Sequence, residues 1–455
     1  MIRVRNLTYT YPEADQPALE NVSLDLQDGE LVLLVGASAS GKSTFLHCLN
    51  GLIPHVLSGA IRGDISINGL CPYETSIVDL SRVVGTVFQN PESQIFMLKV
   101  EDDVAFGCEN LMMSREEVLR RRDMALKDMG LTNLRQADTM NLSGGMKQRL
   151  AISSIYAMGP AVFLFDEPTA DLDAKGRREF LEVILALKKM GHTILLAEHR
   201  YEEFVPIADR VITFEQGRTV EGLTMDKPAW TKPKNMSTCE ERAFDVELES
   251  VFFQYDKNRL ILEDIDLRIR RGELVAVRGD NGSGKSTLLK IMAGILKPFK
   301  GTVKICALEN PTLKDGTGKV GFLFQNPDEQ LFTNSVEEEI MFGPKQLGRK
   351  LDIEQYLVST NLTHLRKKHP HSLSRGQRQM LAVRSVLALD PQVLLLDEPT
   401  TGLDEESWRS LLGFLSELAD SGKTVIFSTH HPMAREYATR IIGIKDGRVI
   451  DEVSR

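Results

Sequence analysis

"LVLLVGASASGKSTFL" runs from Leu31 to Leu46, and its reading decides the fold. An uninterrupted aliphatic run suits a strand buried on both faces of a parallel sheet. Gly36–Ser43 then fits G-x-x-x-x-G-K-[ST], a glycine-rich turn that opens a helix. The backbone N–H groups of such a loop wrap phosphate oxygens, and the helix N-terminus adds positive potential. "LVAVRGDNGSGKSTLL" at Leu274–Leu289 repeats the arrangement. The expected phosphate cradle is Gly36, Ala37, Ser38, Ala39, Ser40, Gly41, Lys42, Ser43 and Thr44 in the first copy. In the second it is Gly279, Asp280, Asn281, Gly282, Ser283, Gly284, Lys285, Ser286 and Thr287. Lys42 and Lys285 should reach β- and γ-phosphates, and Ser43 and Ser286 should ligate Mg²⁺.

Working outward, the whole order of segments recurs. "GTVFQNPESQIFMLKVEDDVAFG" (85–107) returns as "GFLFQNPDEQLFTNSVEEEIMFG" (321–343), with 11 of 23 positions identical and no gap. "LSGGMKQRLAISS" (142–154), "VFLFDEPTADLD" (162–173) and "TILLAEHR" (193–200) return as "LSRGQRQMLAVRS", "VLLLDEPTTGLD" and "TVIFSTHH". The offset falls from 243 to 236 to 231, so the first copy carries about 12 extra residues. A period above 200 residues is a domain duplication rather than a solenoid. We therefore expect a first domain over 1–222, a linker over 223–244 and a second domain over 245–455. The linker has prolines and charges without a periodic apolar face, and reaches at most roughly 80 Å. Apolar strands alternating with helical patterns make each copy a three-layer α/β domain.

Bulk composition narrows the class. With 455 residues, 42% hydrophobic and 26% charged, the chain can fill two cores. A net charge of −9 argues against non-specific binding of nucleic acid. The five cysteines show no ligand spacing and read as reduced packing residues. No window approaches 18 apolar residues and the N-terminal residues carry no apolar signal core or myristoylation glycine, so other chains would hold this one at a membrane.

Asp166–Glu167 and Asp397–Glu398 each end an apolar strand. The aspartates suit the Mg²⁺ shell, and the glutamates suit orienting or deprotonating an attacking water. His199 and His430 lie 33 residues past Asp166 and Asp397, after another apolar strand whose end should face the ligand crevice. They read as γ-phosphate sensors. Gln89 and Gln325 either ligate Mg²⁺, position water, or cap the turn before Pro91 and Pro327. Ser143, Gly144 and Gly145, and Ser374, Arg375, Gly376 and Gln377, open helices as an anion seat or as plain caps. Tyr11 and Tyr255 either stack on a purine or pack within strands.

The set of P-loop, Gln loop, LSGGQ-like signature, DEP acids and switch His, in that order and twice, resembles the ATP-binding cassette ATPases over nearly the whole chain. The resemblance implies two tandem P-loop cassettes, each a mainly parallel sheet with helices, an antiparallel β subdomain and a helical subdomain. It implies ATP and Mg²⁺ as cofactors, with Glu167, Glu398, His199 and His430 catalytic, and Ser43, Gln89, Asp166, Ser286, Gln325 and Asp397 around the metal. Tyr11, Gln89, Tyr255, Gln325 and the two signatures would join the P-loops in holding ATP, and Asp173 and Asp404 would lie in the D-loops. Cassettes of this family pair head to tail, so the two would pair within one chain, the Lys42 site facing Ser374 and Gly376 and the Lys285 site facing Ser143 and Gly145. Arg375 and Met146 depart from the signature and imply unequal sites.

FQNP-[DE]-x-Q-[LI]-F followed by VE[DE][DE][VI]xFG, with "GLIPH", is similar to the ATPases of energy-coupling factor importers. That resemblance implies a peripheral subunit on the cytoplasmic membrane face, driving uptake of a vitamin, vitamin precursor or metal ion. Its partners would be an integral membrane scaffold and a small substrate-binding membrane protein, with no nucleic acid. Residues 90–99 and 326–335 would receive a scaffold helix, with Ile95, Phe96, Leu331 and Phe332 as apolar anchors. Ribosome-acting twin cassettes carry a long charged helical linker and DNA-repair cassettes long coiled coils, neither of which this sequence contains. The paired QNP-x-x-Q-[LI]-F segments also argue against a twin-cassette sugar importer.

Overall fold

In the computed structural model the described residues are 1–223 and 243–455, apart from 13, 15, 38, 171, 200, 256–259, 361, 374, 402, 404, 431–433 and 455. The chain divides into two compact units, Met1–Pro228 and Ala229–Arg455. The linker expected over 223–244 lies almost wholly outside the described residues.

In the first unit, β1 (Ile2–Thr10), β2 (Leu19–Leu26), β3 (Leu31–Val35), β4 (Ala60–Ile67) and β5 (Val84–Val87) are followed by β6 (Val162–Asp166), β7 (Thr193–Ala197), β8 (Arg210–Glu215) and β9 (Arg218–Glu221). One sheet, ordered β2-β1-β4, is antiparallel. The other runs β5-β6-β7-β3-β8-β9 and is parallel except for the β8–β9 hairpin. The second unit repeats this plan with β10 (Phe244–Gln254), β11 (Leu260–Arg270), β12 (Leu274–Arg278), β13 (Lys300–Ile305), β14 (Leu308–Glu309) and β15 (Val320–Leu323). It continues with β16 (Val393–Leu396), β17 (Thr424–Thr429), β18 (Arg440–Lys445) and β19 (Arg448–Ser454). Its antiparallel sheet is β11-β10-β13-β14 and its mainly parallel sheet β15-β16-β17-β12-β18-β19.

The continuous apolar runs are explained by burial on both faces. Leu31, Leu33 and Val35 join one core with Phe163 and Phe180, while Val32 and Leu34 join the other with Phe45 and Leu46. Helices Val100–Asn110, Arg115–Asp128 and Gly144–Met158 form the helical part of the first unit, and Val336–Gln346, Ile353–Ser359 and Arg375–Leu387 that of the second.

The strand order places the site. β6, β7 and β3 are neighbours, so the residues after all three emerge at one sheet edge, as do those after β16, β17 and β12. The duplicated segment beginning at Gly85 and Gly321 sits on the adjoining strand, and its glycines are there for close approach. A Cβ on Gly85 would lie 2.3 Å from Ile155 Cγ2, and one on Gly321 2.5 Å from Val386 Cγ1. Both neighbours belong to the helix that opens with the signature. Gly85→Ala and Gly321→Ala are expected to cost about 1–3 kcal/mol each through overpacking. A lowered thermal unfolding midpoint for both variants checks this; unchanged midpoints would mean that the helix shifts freely.

Candidate nucleotide-binding and hydrolysis sites

Each P-loop joins a buried strand to a helix, Lys42–Leu49 or Lys285–Met292, through a residue in the left-handed region. Gly41 has φ 109° and Gly284 φ 107°. Lys42 Nζ donates to the carbonyls of Gly36 (2.8 Å) and Ala37 (3.0 Å), and Lys285 Nζ to those of Gly279 (2.9 Å) and Asp280 (3.1 Å). The loops thus hold the ammonium groups inside their own curve. Ser40 Oγ and Ser283 Oγ, at equivalent places, are buried without a hydrogen-bond partner. Ser38 lies outside the described residues.

The serine that ends each motif reaches the strand-end aspartate. Ser43 Oγ donates to Asp166 Oδ1 at 2.8 Å, and Ser286 Oγ to Asp397 Oδ1 at 2.9 Å. A hydroxyl with one carboxylate is a hard-oxygen pair of the kind Mg²⁺ accepts when phosphates and water complete its shell. No cluster of three or more acidic, His or Cys side chains competes for that ion among the described residues. Gln89 Nε2 lies 3.4 Å from Glu167 Oε2. Gln325 is exposed. The turn-capping alternative belongs to their neighbours: Asn90 and Asn326 cap the short helices after them, accepting from Glu92 N and Asp328 N.

Glu167 and Glu398 both adopt left-handed backbone, φ 48° and 45°. This conformation is costly for a residue with a Cβ and concentrates at functional sites. His199 Nε2 lies 2.7 Å from Glu167 Oε1, and His430 Nδ1 3.0 Å from Glu398 Oε2. Lys285 Nζ is 3.5 Å from Glu398 Oε1. Burial pushes the Glu398 carboxyl up, but the bond and charge of His430 and the Lys285 ammonium outweigh it, leaving that group below its usual range. Burial, with Glu167 beside it, pushes Asp166 up from 3.8 to about 6. Asp397 is also raised by burial, with Ser428 and Ser286 opposing.

The remaining expected residues fall on other elements. Tyr11 and Tyr255 hydroxyls meet Thr44 Oγ1 (3.0 Å) and Thr287 Oγ1 (3.3 Å), which ties the antiparallel sheet to the P-loop helix. Ser143 caps the helix containing Gly144 and Gly145, accepting from Met146 N, and Asp173 caps its own helix by accepting from Gly176 N. Gly376 and Gln377 lie in the first turn of helix Arg375–Leu387, while Ser374, the Arg375 side chain and Asp404 are outside the described set.

The duplicated segment has its own logic. Gln94 braces the loop, accepting from Phe88 N and donating to Thr86 O. Buried Asp103 accepts from Phe96 N (2.8 Å) and Met97 N (3.1 Å), and Glu339 from Phe332 N (3.1 Å) and Thr333 N (3.0 Å). Glu101 pairs with Arg135, and Glu337 with Arg366. These latches leave Phe96 68% and Phe332 63% exposed. Leu331, expected as an exposed anchor, is only 2% exposed and belongs to the core, and Ile95 packs against the core of the first unit. The two acids that do the latching carry no distinguishing mark within an acidic helix start, and sequence reading passed over them. It also passed over Ser428, whose Oγ accepts from Glu398 N and donates to Asp397 Oδ1, both at 2.7 Å. Aligning "TILLAEHR" with "TVIFSTHH" sets Ser428 against Ala197 and would have marked it.

The ABC transporter family profile matches residues 19–170 and 262–401. This chain belongs to the ABC transporter family. A protein of Methanosarcina acetivorans described as an ABC transporter ATP-binding protein is 38% identical, over 99% of this chain and 84% of its own. The cbiO1 protein of Clostridium perfringens, part of the ABC transporter complex cbiONQ, is 33% identical over 46% of this chain and 88% of its own, with a TM-score of 0.43. A chain of the ribosome-bound archaeal Pelota and ABCE1 assembly covers 99% of this chain and 78% of its own, with a TM-score of 0.67 and 21% identity, which shows the fold alone. Membership makes this family protein an ATP hydrolase with two cassettes, of the class coupled to transport. No helix among the described residues is long and apolar enough to cross a membrane.

The raised Asp166 gives a stability test. Its folded form binds a proton up to about pH 6, whereas an unfolded aspartate releases it near 3.8. Stability from this group is therefore full below pH 4 and lost as pH rises through 6. Asp166→Asn is expected to raise the stability of the nucleotide- and metal-free chain at pH 7.5 by about 2–3 kcal/mol, with little change at pH 4. Denaturant unfolding at the two pH values checks this.

Proposed function

We propose that this chain is the ATP-hydrolysing motor of an energy-coupling factor-type importer, acting at the cytoplasmic membrane face on a membrane scaffold that carries a small substrate-binding protein. The observation that carries this reading is the pair of latched loops. Each sets one aromatic ring outward, Phe96 against Phe106 and Phe332 against Phe342, beside the strand that precedes its hydrolytic acids. An apolar helix can seat on such rings. The QNP-x-x-Q-[LI]-F sequence that builds these loops supports this subclass over other importers.

In each cassette the P-loop amides and lysine would bind the ATP phosphates, with Tyr11 or Tyr255 beside the base. Ser43 with Asp166, and Ser286 with Asp397, would hold Mg²⁺, whose charge offsets that of the β- and γ-phosphates. Glu167 and Glu398 would orient and accept a proton from the attacking water. His199 and His430 would fix the glutamate rotamer and register the γ-phosphate. The cassettes do not hold these glutamates alike: the Glu167 N–H goes to the Ala197 carbonyl and the Glu398 N–H to the Ser428 hydroxyl. Unequal sites follow, in keeping with the Arg375 and Met146 departures.

The chain, tagged in its own host and purified from membranes in mild detergent, is expected to bring down an integral scaffold and one or more small hydrophobic binders. Phe96→Glu with Phe332→Glu is expected to lose them. Recovery of the unaltered chain only in the soluble fraction, or with ribosomes, would overturn the reading. In the recovered complex, Glu167→Gln and Glu398→Gln are each expected to lower kcat about 100-fold or more, and to different extents. Equal losses would remove the claim of unequal sites.

A further inference from the structure

Glu198 is a carboxylate at the end of β7 and is 2% exposed. A buried charge at such a place is costly unless it is hydrogen-bonded. Its Oε1 accepts from the backbone N–H of Thr169 at 3.0 Å. Thr169 is fully buried, two residues past Glu167, in the turn that Ala170 N closes onto Glu167 O at 3.2 Å. The backbone N–H of Glu198 donates to Leu34 O at 3.1 Å, which ties it to β3, the strand that feeds the P-loop. The next residue is His199, which meets the Glu167 side chain at 2.7 Å.

We propose that Glu198 is a positioning residue of the first hydrolytic site: its carboxylate holds the turn that carries Glu167, through the Thr169 N–H, while His199 holds the Glu167 side chain. The proposal rests on the hydrolytic role of Glu167 given above. Two consecutive residues thereby grip one turn, one by its backbone and one by its side chain. The left-handed backbone of Glu167 is a conformation that neighbours must enforce. The second cassette has Thr429 at this place, and there the Ser428 hydroxyl takes the Glu398 N–H directly. In the first copy the Glu167 N–H goes instead to the Ala197 carbonyl oxygen, at 2.9 Å. The same turn is thus held by different atoms in the two copies.

The test uses the full chain and three variants: Glu198→Gln, whose amide oxygen still accepts from Thr169 N; Glu198→Ala; and Glu198→Thr, the residue of the other copy. Steady-state ATP hydrolysis is expected to show kcat lowered about tenfold in the Ala and Thr variants, with KM for ATP within about twofold. The Gln variant is expected to stay within about twofold of the unaltered chain in both. Hydrogen exchange at the Thr169 amide is expected to quicken about tenfold in the Ala and Thr variants only. Should the Ala variant not fold, the Thr and Gln pair decides. Unchanged kcat in the Ala or Thr variant overturns the proposal, as does a raised KM with kcat intact. So does a Gln variant that falls as far as Ala, which would make charge rather than the Thr169 bond the cause. An unaltered chain without ATP hydrolysis would instead sink the hydrolytic reading itself, while the exchange rates would still report on the Thr169 bond.

Discussion

The bond from Ser43 Oγ to Asp166 Oδ1 spans 123 residues of chain, and its counterpart from Ser286 to Asp397 spans 111. The first cannot form unless β3 and β6 lie one strand apart in the same direction with β7 between them, nor the second unless β12 and β16 flank β17 in the same way. That order is set by burial, because each of these strands is apolar on both faces and must be covered by helices on both sides. The site is therefore a by-product of the sheet. Once β6, β7 and β3 are adjacent, the acids, the switch histidine and the P-loop have nowhere else to emerge.

The duplication shows which parts of this arrangement are fixed by geometry and which are free. The P-loop turn, the serine–aspartate bond, the left-handed glutamate and the tyrosine–threonine tie recur with nearly the same distances in both copies. The groups behind them do not. Ser428 serves Asp397 and Glu398 in one copy, and Glu198 serves Thr169 in the other. Atoms that meet the reacting groups are held to one geometry, whereas the atoms behind them need only supply a bond in the right direction.

Much of this was legible in the sequence, for a physical reason. A P-loop, a strand-end acid pair and a strand-end histidine are local patterns whose position follows from strand and turn chemistry, and the internal repeat doubled each signal. What the sequence did not show depends on tertiary surroundings. Ile95 and Phe96, like Leu331 and Phe332, are adjacent apolar residues in a loop without periodicity, so nothing local tells which turns inward. The core claimed Leu331 and left Phe332 exposed. Local chemistry left Gln89 open between several roles, and its Nε2 lies beside Glu167 Oε2. Asp103 and Glu339 were lost among acids that any helix start would carry.

The two latches also differ by a methylene. Asp103 and Glu339 hold equivalent loops, and the second recruits the Thr333 hydroxyl as well. The sockets around Phe96 and Phe332 are therefore related but not interchangeable, and they are covalently joined. Free single cassettes could assemble with two copies of either socket. A fused chain excludes both of those mixtures and fixes a one-to-one ratio.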